Sequence, residues 1–313
     1  MQTARTIHSG QSHFGWDNSI APVLTVEPGT DVQLELNNAS GGQLSKDSKP
    51  SDLVDLDFAK VNPVTGPVYI DGAEPGDAIR ITLQGFEPSS KWGWTALIPG
   101  FGLLADEFPE PALRISQYES LEQSALFADV ASVPLRPFAG TIGLAPAEPG
   151  SHSVVPPRRV GGNLDLRDLS AGTVLYLPIE VPGGLFSIGD AHAAQGDGEV
   201  CGTAIETAMR ISLNLDVVKR ANIPSPQFET STPVTRHLDE RGYIVTTGVG
   251  PDLMQDAKDA VRSMIDLLQA RTKVSAEDAY MLCSVTADLR IGEIVDAPNW
   301  VVACYFPRMV IEP

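Results

Sequence analysis

A Pro-Gly turn followed by alternating apolar residues is the sequence feature that most constrains the fold. The turn at residues 28–29 leads into residues 30–36, where apolar and polar side chains alternate. The same arrangement returns at residues 74–83, and a looser version spans residues 170–177. A period of two predicts strands with one buried and one solvated face. Three such units predict antiparallel sheets packed face to face.

Helical periodicity is clearest near the end of the chain. After Asp252, apolar residues recur at three- and four-residue steps up to Leu268, which predicts a long amphipathic helix. Ser275, with Asp278 three residues later, predicts the start of a second, shorter helix. We therefore expect a mainly β, β-sandwich-rich single domain over residues 1–313. Its predicted parts are a β-rich region at 1–248, a helical insertion at about 250–285 and closing strands at about 287–311.

The segment Gly189–Glu199 concentrates three carboxylates, one histidine and three glycines. If residues 184–188 form a strand that continues to His192, then Asp190 and His192 project from the same face, because side chains alternate along a strand. The glycine-rich run that follows predicts a turn, after which Glu199 would return on the neighbouring strand. Clustered histidine and carboxylates indicate a metal or catalytic site. The alternative is a glycine-rich hairpin with a hydrogen-bonded surface histidine.

Residues 8–19 form a second loop rich in polar groups. The loop contains His13, Asp17 and Asn18 beside Trp16, and it ends before a proline. Such a segment is typical of a positioned loop rather than the interior of a helix or strand. The alternative is that Asp17 or Asn18 caps a turn while Trp16 fills the core.

Three other segments bear on the site. Residues 161–165 predict a tight loop that carries Asn163 and Asp165, although the same pattern fits a simple turn with a self-bonding asparagine. Residues 91–108 mix aromatics and glycines without a period, which fits a pocket wall or irregular core packing. Alternation from residue 205 to residue 217 predicts one long strand with a wet face.

Charge and cysteine content exclude several classes of partner. With 40 acidic against 22 basic side chains and a net charge of −18, the chain repels nucleic acid and anionic lipid. Its 3 cysteines, an odd number without CxxC spacing, argue against a disulfide framework and favour a reducing compartment. We find neither a signal sequence nor an apolar stretch of about 20 residues, so we expect a cytoplasmic protein without a membrane segment.

Four of these motifs give the chain a resemblance to the acetamidase/formamidase family along nearly its whole length. The matching pieces are Trp16–Ser19, Pro99–Asp106, Gly161–Asp165 and the long, specific Gly189–Glu199. The resemblance implies a metal-dependent amidohydrolase that acts on short amides and is built mostly of β-sandwich, with relatives that open small lactams. This chain looks like a compact member of that family. We expect a small amide substrate and a homo-oligomer.

Resemblance and spacing together suggest a metal centre with a base beside it. We expect Asp190 and His192 to bind the metal, Asp17 to join them from the N-terminal loop, and His13 to complete the shell. Glu199 is the candidate general base that takes a proton from the attacking water and delivers one to the departing amine, or else a further ligand. Zinc is favoured because a histidine accompanies the carboxylates, and calcium is the alternative if oxygen ligands dominate.

The remaining predicted roles concern the substrate. Asn18 or a backbone N–H would hold the oxyanion, and Asn163 and Asp165 would bond the amide nitrogen. The acyl pocket would be limited to a short chain by Trp92, Trp94 or Phe101. Three alternatives stay open: hydrolysis of a small lactam, a non-catalytic β-sandwich that holds a metal, and nucleophilic catalysis by Cys201, which has no basic neighbour in sequence.

Overall fold

A computed structural model describes residues 5–231 and 241–312 and shows a mainly β protein with two helices near its C-terminus. The longer helix, α1, spans Leu253–Thr272, and the shorter helix, α2, spans Ala276–Thr286. The predicted fold class is therefore confirmed. Within the described residues, no helix combines the length and the apolar character needed to cross a membrane.

A six-stranded sheet contains all three of the turn-then-strand units. Its strands, in spatial order, are Arg5–Ile7, Thr30–Leu36, Met209–Val218, Ala78–Pro88, Val174–Pro178 and Gln227–Glu229. The first two strands pair in parallel and the other neighbours pair antiparallel. Along the second strand Val32, Leu34 and Leu36 are buried, and the residues between them are partly exposed. The period of two thus identified the buried face.

A nine-stranded sheet holds the site. Its main path runs through Gly161–Asn163, Phe138–Gly143, Phe186–His192, Glu206–Thr207, Trp92–Leu97 and Ala112–Gln117. A branch strand, Val64–Ile70, pairs with Phe186–His192. It also pairs with two short strands, Ser12–His13 and Leu24–Val26. Phe186–His192 is buried at every position. Its polar side chains are therefore enclosed by protein.

Smaller elements complete the fold. A three-stranded sheet has the order Tyr243–Gly250, Trp300–Pro307 and Asp288–Glu293, so the predicted closing strands are present. Two-stranded pairs join Ser124–Phe127 to Ala131–Pro134 and Gly15–Trp16 to His152–Ser153. Short 3-10 helices span Pro50–Leu53, Phe58–Lys60 and Arg308–Val310. One buried apolar cluster includes Leu34 and Leu213 of the first large sheet, Phe186 of the second, and Met264 and Leu282 of the helices.

Both helices begin at side-chain caps. Asp252 accepts hydrogen bonds from the Met254 and Gln255 amides, and Ser275 accepts one from the Asp278 amide. The Asp278 side chain makes a bidentate ion pair with Arg114, whose Nη2 lies 2.7 Å from Oδ2. That ion pair ties α2 to the nine-stranded sheet.

The predicted single strand over residues 205–217 is wrong at its beginning. Glu206–Thr207 belongs to the nine-stranded sheet, whereas Met209–Val218 belongs to the six-stranded sheet and has the expected wet face. The chain crosses between the sheets at Ala208, which leaves Glu206 only 2% exposed. Alternation does not reveal such a crossing, because the sequence period continues through it.

Candidate active site

Four carboxylates gather around His192 at the floor of a cavity. Asp190 and His192 end the strand Phe186–His192, and Asp190 Oδ1 lies 3.2 Å from His192 Nε2. Glu206 stands directly opposite His192 on the adjacent antiparallel strand, with Oε2 at 3.1 Å from the same nitrogen. These three residues are almost fully buried. Their ligand atoms lie within 4.8 Å of one another, so the group can hold a metal ion.

A second group shares the same histidine. Asp165, His192 and Glu199 also place their ligand atoms within 4.8 Å of one another. Glu199 does not return on the neighbouring strand as predicted. The connection after His192 runs from residue 193 to residue 205, and Glu199 lies within that loop. The residue that returns opposite His192 is Glu206, because the connection is much longer than a hairpin turn.

The backbone is left-handed at three of the acidic residues. The φ angle is 48° at Asp165, 56° at Asp190 and 43° at Glu199. A left-handed conformation costs an L-residue roughly 1–2 kcal/mol, and it is least expected for glutamate. Surrounding structure must supply that energy. Such conformations cluster at functional sites, where the required direction of a side chain outweighs the cost of a strained backbone.

Hydrogen bonds fix the orientation of the His192 ring. Gln195 donates from Nε2 to the Asp165 carbonyl at 2.8 Å, so its Oε1 is the atom that accepts from His192 Nδ1 at 2.9 Å. Phe138 packs edge-on against the ring, with centroids 5.0 Å apart. With the proton on Nδ1, the Nε2 lone pair of the neutral ring is directed toward Asp190 and Glu206.

Asn163 and Thr141 connect the two groups. Asn163 Nδ2 donates to Asp165 Oδ2 at 2.8 Å, and Thr141 Oγ1 donates to Asn163 Oδ1 at 2.5 Å. The Thr141 hydroxyl also lies 3.4 Å from Asp190 Oδ2. The predicted loop at residues 161–165 therefore delivers Asn163 and Asp165 to the cluster.

Gly140 lies against the carboxylates of the cluster, and its missing side chain leaves room for them. A Cβ atom at this position would stand 2.4 Å from Asp165 Oδ1, 2.8 Å from Asp190 Oδ2 and 2.9 Å from His192 Cε1. Only a residue without a side chain fits at that distance. The space that Gly140 leaves open is shared by both groups.

Burial and crowding shift the ionisation of the cluster. Burial, reinforced by the Asp190 charge, raises the pKa of Asp165 to about 7. Burial, reinforced by Asp165, likewise raises the pKa of Glu199 well above its usual value. Burial would lower the pKa of His192, but the charges of Glu206 and Asp190 outweigh it and raise that pKa well above its ordinary value. The cluster therefore favours protons or a bound cation.

A cavity of about 230 Å³ opens above the cluster. Asn163, Asp190, Glu199 and Glu206 line its polar part. Of the aromatic residues predicted for the acyl pocket, Trp94 and Phe101 line the cavity. Trp92 is not among the described residues that line it, and its carbonyl instead accepts a hydrogen bond from Thr207 Oγ1 at 2.9 Å.

The N-terminal loop lies beside the cluster rather than in it. Neither His13 nor Asp17 belongs to the two ligand groups found among residues 5–231 and 241–312. Both ring nitrogens of His13 are hydrogen-bonded: Nδ1 lies 2.7 Å from the Gly15 carbonyl oxygen, and Nε2 lies 2.8 Å from Ser187 Oγ. Asp17 accepts from the Ser19 amide at 2.8 Å, which is the turn cap that the alternative interpretation expected. The polar groups of His13 and Asp17 thus have partners outside the two ligand groups.

Asn18 also finds its partners away from the cavity. Its Nδ2 donates to the Pro146 carbonyl at 3.0 Å and to the Ala147 carbonyl at 3.2 Å. Asn18 is not among the described residues that line the cavity. Both donor hydrogens are already used, so this amide is not arranged to receive an oxyanion.

Two functional features escaped the sequence analysis. Glu206 is the first, and its signal was a lone carboxylate in the apolar run Ala204–Met209. The second is the segment at residues 39–62, which supplies much of the cavity wall. The lining residues it contributes are Ala39, Ser40, Leu56, Phe58, Val61 and Asn62.

The fold and this buried cluster define the class of the protein: a β-rich protein with a carboxylate–histidine cluster at the floor of a small cavity. The model of the Acetamidase/Formamidase family matches residues 2–153 and 149–312. The chain belongs to that family and is an amidohydrolase. The predicted resemblance is thus confirmed.

Named relatives agree with that assignment. The formamidase of Methylophilus methylotrophus is 26% identical over 370 residues, covering 97% of this chain and 90% of that protein. The acetamidase of Mycolicibacterium smegmatis is 27% identical over 269 residues, covering 66% of each.

Two solved structures share the fold. A γ-lactamase from Delftia acidovorans has a TM-score of 0.89 at 25% identity and covers 97% of this chain and 90% of its own. An acetamidase from Bacillus halodurans has a TM-score of 0.68 at 30% identity and covers 96% of both chains.

Proposed function

We propose that this chain hydrolyses short linear amides to a carboxylate and ammonia with the help of a divalent metal, for which zinc is the first candidate. The observation that carries the proposal is the buried contact of His192 Nε2 with both Asp190 and Glu206. Relatives named formamidase and acetamidase support the substrate class. The metal is inferred from the chemistry of the side chains.

The donor set fits a divalent cation. One imidazole and two carboxylates are ligands that zinc accepts, and a catalytic zinc site commonly uses three protein ligands and keeps one position open. His192 Nε2 and Glu206 Oε2 make no hydrogen bond of normal geometry although they are 3.1 Å apart. The carboxylates that hold a proton on His192 would equally balance the charge of a cation.

Asp190, His192 and Glu206 would therefore bind the metal. A zinc ion there would supply Lewis acidity and lower the pKa of a bound water to about 7. In this assignment Glu206 is the third metal ligand, a role that the sequence analysis expected Asp17 and His13 to fill.

The second carboxylate pair supplies acid–base chemistry. Asp165 and Glu199 both have a raised pKa and lie within ligand distance of each other, so the pair retains a proton near neutral pH. Glu199 lines the cavity, and with the shared proton held on Asp165 its free carboxylate takes the proton of the attacking water. It later returns a proton to the departing nitrogen, as amide hydrolysis requires. Asn163 holds the Asp165 carboxyl in place through its side-chain amide.

Ammonia release from formamide and acetamide tests the proposal. Protein stripped with a chelator should be inactive and should recover with Zn²⁺. Glu206→Gln should lose both bound metal and activity, whereas Glu199→Gln should keep the metal and lose at least about a hundredfold in kcat. Glu110→Gln, at an exposed position outside the cluster, is the matched control and should behave like the wild type. Full activity after exhaustive chelation would refute the metal.

A second candidate function is the opening of small lactams. It is favoured by the structural likeness to the γ-lactamase, whose TM-score is 0.89. The chemistry at the cluster is the same, because a lactam is a cyclic amide. Ring opening of 2-pyrrolidinone, compared with acetamide hydrolysis by the same preparation, distinguishes the two. Faster turnover of the lactam would make it the main substrate class.

A further inference from the structure

The cavity has a polar floor and apolar walls. Its floor presents the carboxylates of Asp190, Glu199 and Glu206. The walls above include Leu56 and Ile98, together with Trp94 of the strand Trp92–Leu97. A primary amide that reaches the cluster places its reacting carbon, oxygen and nitrogen at the floor. Its acyl substituent then has to lie against the apolar walls.

Those walls are held in place by their own small core. Leu56 and Trp94 belong to a buried apolar cluster with Leu53, Ala96 and Leu113. Trp94 is 3% exposed, and its Nε1 donates to Asn38 Oδ1 at 3.4 Å. The polar atom of the indole is therefore engaged, and the ring is fixed by packing. Such a wall keeps the space open because a packed cluster does not collapse into it.

The mouth of the cavity is also apolar. Phe58 and Phe101 both line it and stack with ring centroids 5.4 Å apart and an interplanar angle of 11°. They are 48% and 42% exposed, and Val155 beside them is 39% exposed. Exposed aromatic residues at the rim of a pocket are typical of sites that receive an apolar ligand.

The space exceeds what acetamide needs. A volume of about 230 Å³ corresponds to roughly seven or eight heavy atoms, at about 30 Å³ for each water-sized volume. Acetamide fills about half of that space by the same measure. Formamide, which has only a hydrogen in place of the methyl group, fills less. The remaining space adjoins apolar side chains, and it is suited to carbon atoms.

We propose that the preferred substrates are primary amides whose acyl group is apolar and bulkier than acetyl, with a branched or small cyclic alkyl group against Leu56, Trp94 and Ile98. The inference rests on the proposed amide hydrolysis and names its substrate class. Anionic acyl groups are disfavoured, because the floor carries carboxylates and the chain has a net charge of −18.

A series of amides tests the acyl preference. The zinc-loaded full chain is assayed for ammonia release from formamide, acetamide, propionamide, isobutyramide and cyclobutanecarboxamide, with succinamate as the anionic comparison. Each buried methylene should raise kcat/KM by roughly fourfold until the cavity is full. Succinamate should be the poorest substrate. A steady fall in kcat/KM from formamide onward would overturn the inference while leaving the proposed function intact, whereas no hydrolysis of any amide would refute the proposed function itself.

Filling the cavity provides the second test. Leu56→Trp should lower the ratio of kcat/KM for isobutyramide to that for acetamide at least tenfold, because the added ring occupies the acyl space. Ile98→Trp, at a half-buried position, gives the same measurement if the first variant does not fold. Val249→Trp, at an exposed site on the three-stranded sheet, is the matched control and should leave the ratio unchanged. An unchanged ratio in both cavity variants would overturn the inference.

Discussion

Arg167 Nη1 lies 2.7 Å from Asp288 Oδ1, in an ion pair whose side chains are only 8% and 1% exposed. Arg167 Nε also lies 3.0 Å from Asp197 Oδ1. These two ion pairs of Arg167 join three parts of the chain. Arg167 follows Asp165 by two residues, Asp197 precedes Glu199 by two residues, and Asp288 begins a closing strand. The network therefore fixes the two loops that carry the acid–base pair.

Asp288→Asn should loosen that arrangement. We expect a loss of about 3 kcal/mol in the free energy of unfolding, because one partner of a buried ion pair is removed. We also expect kcat for amide hydrolysis to fall at least tenfold with KM little changed, because Asp165 and Glu199 lose their fixed separation. Steady-state kinetics and thermal unfolding measure the two effects.

The matched control for that variant is Asp278→Asn. It breaks another ion pair of a buried carboxylate, in which Arg114 Nη2 lies 2.7 Å from Asp278 Oδ2, but neither residue is part of the cluster. This variant should lose stability and keep its kcat. Equal losses of kcat in both variants would mean that the Arg167 network acts only through stability.

Gly140→Ala should disable the site without a change of charge. The new Cβ would meet Asp165 Oδ1 at 2.4 Å and Asp190 Oδ2 at 2.8 Å, so the carboxylates must move apart. We expect at least about a hundredfold loss of kcat/KM, as small displacements of reacting groups produce. Bound zinc, measured by elemental analysis, should fall as well. Gly85→Ala is the control, because a Cβ there meets no atom within 4 Å and activity should be retained.

Cys201→Ala should keep the activity. Burial raises the pKa of the Cys201 thiol to about 11, so the nucleophilic thiolate is scarce at neutral pH. Its Sγ lies 3.4 Å from Thr203 Oγ1 and is enclosed by protein, which fits a packing role. We expect kcat/KM within about threefold of the wild type and a stability loss of about 1–2 kcal/mol. Loss of turnover in a folded variant would revive the nucleophile hypothesis.

Asp77 should make the stability of the fold depend on acid pH. Burial alone would raise the pKa of Asp77, but hydrogen bonds from Lys219 and from the Arg220 and Glu74 amides outweigh it and hold that pKa below 3.8. A pKa lowered by folding stabilises the native state above the unfolded value, and the effect is lost as pH falls through the folded value.

Denaturant unfolding of Asp77→Asn at two pH values checks this. The variant should be roughly 1.5–3 kcal/mol less stable than the wild type at pH 7, the range for hydrogen bonds to a charged group. The difference should be smaller at pH 3 than at pH 7. Asp47→Asn, at an exposed position, should show no difference at either pH. A constant difference at both pH values would contradict the role of the Asp77 charge.

Local patterns in the sequence determined most of the elements and part of the site. Alternation identified the buried face of Thr30–Leu36, and the apolar stripe after Asp252 identified α1. The same local rule predicted that Asp190 lies beside His192, and the two side chains are in contact although the backbone at Asp190 is left-handed rather than extended. These features depend on neighbours along the chain, and the sequence contains them in full.

Tertiary structure alone decided which distant residues join that pair. Glu206 reaches His192 because Glu206–Thr207 is the next strand in the sheet, and Asp165 arrives on a loop beside the strand Phe138–Gly143. Asp17, which we expected to bind metal from the N-terminal loop, instead accepts hydrogen bonds from Ser19. Strand order depends on the packing of the whole core, so a single sequence cannot show which of several polar loops the fold brings to the centre.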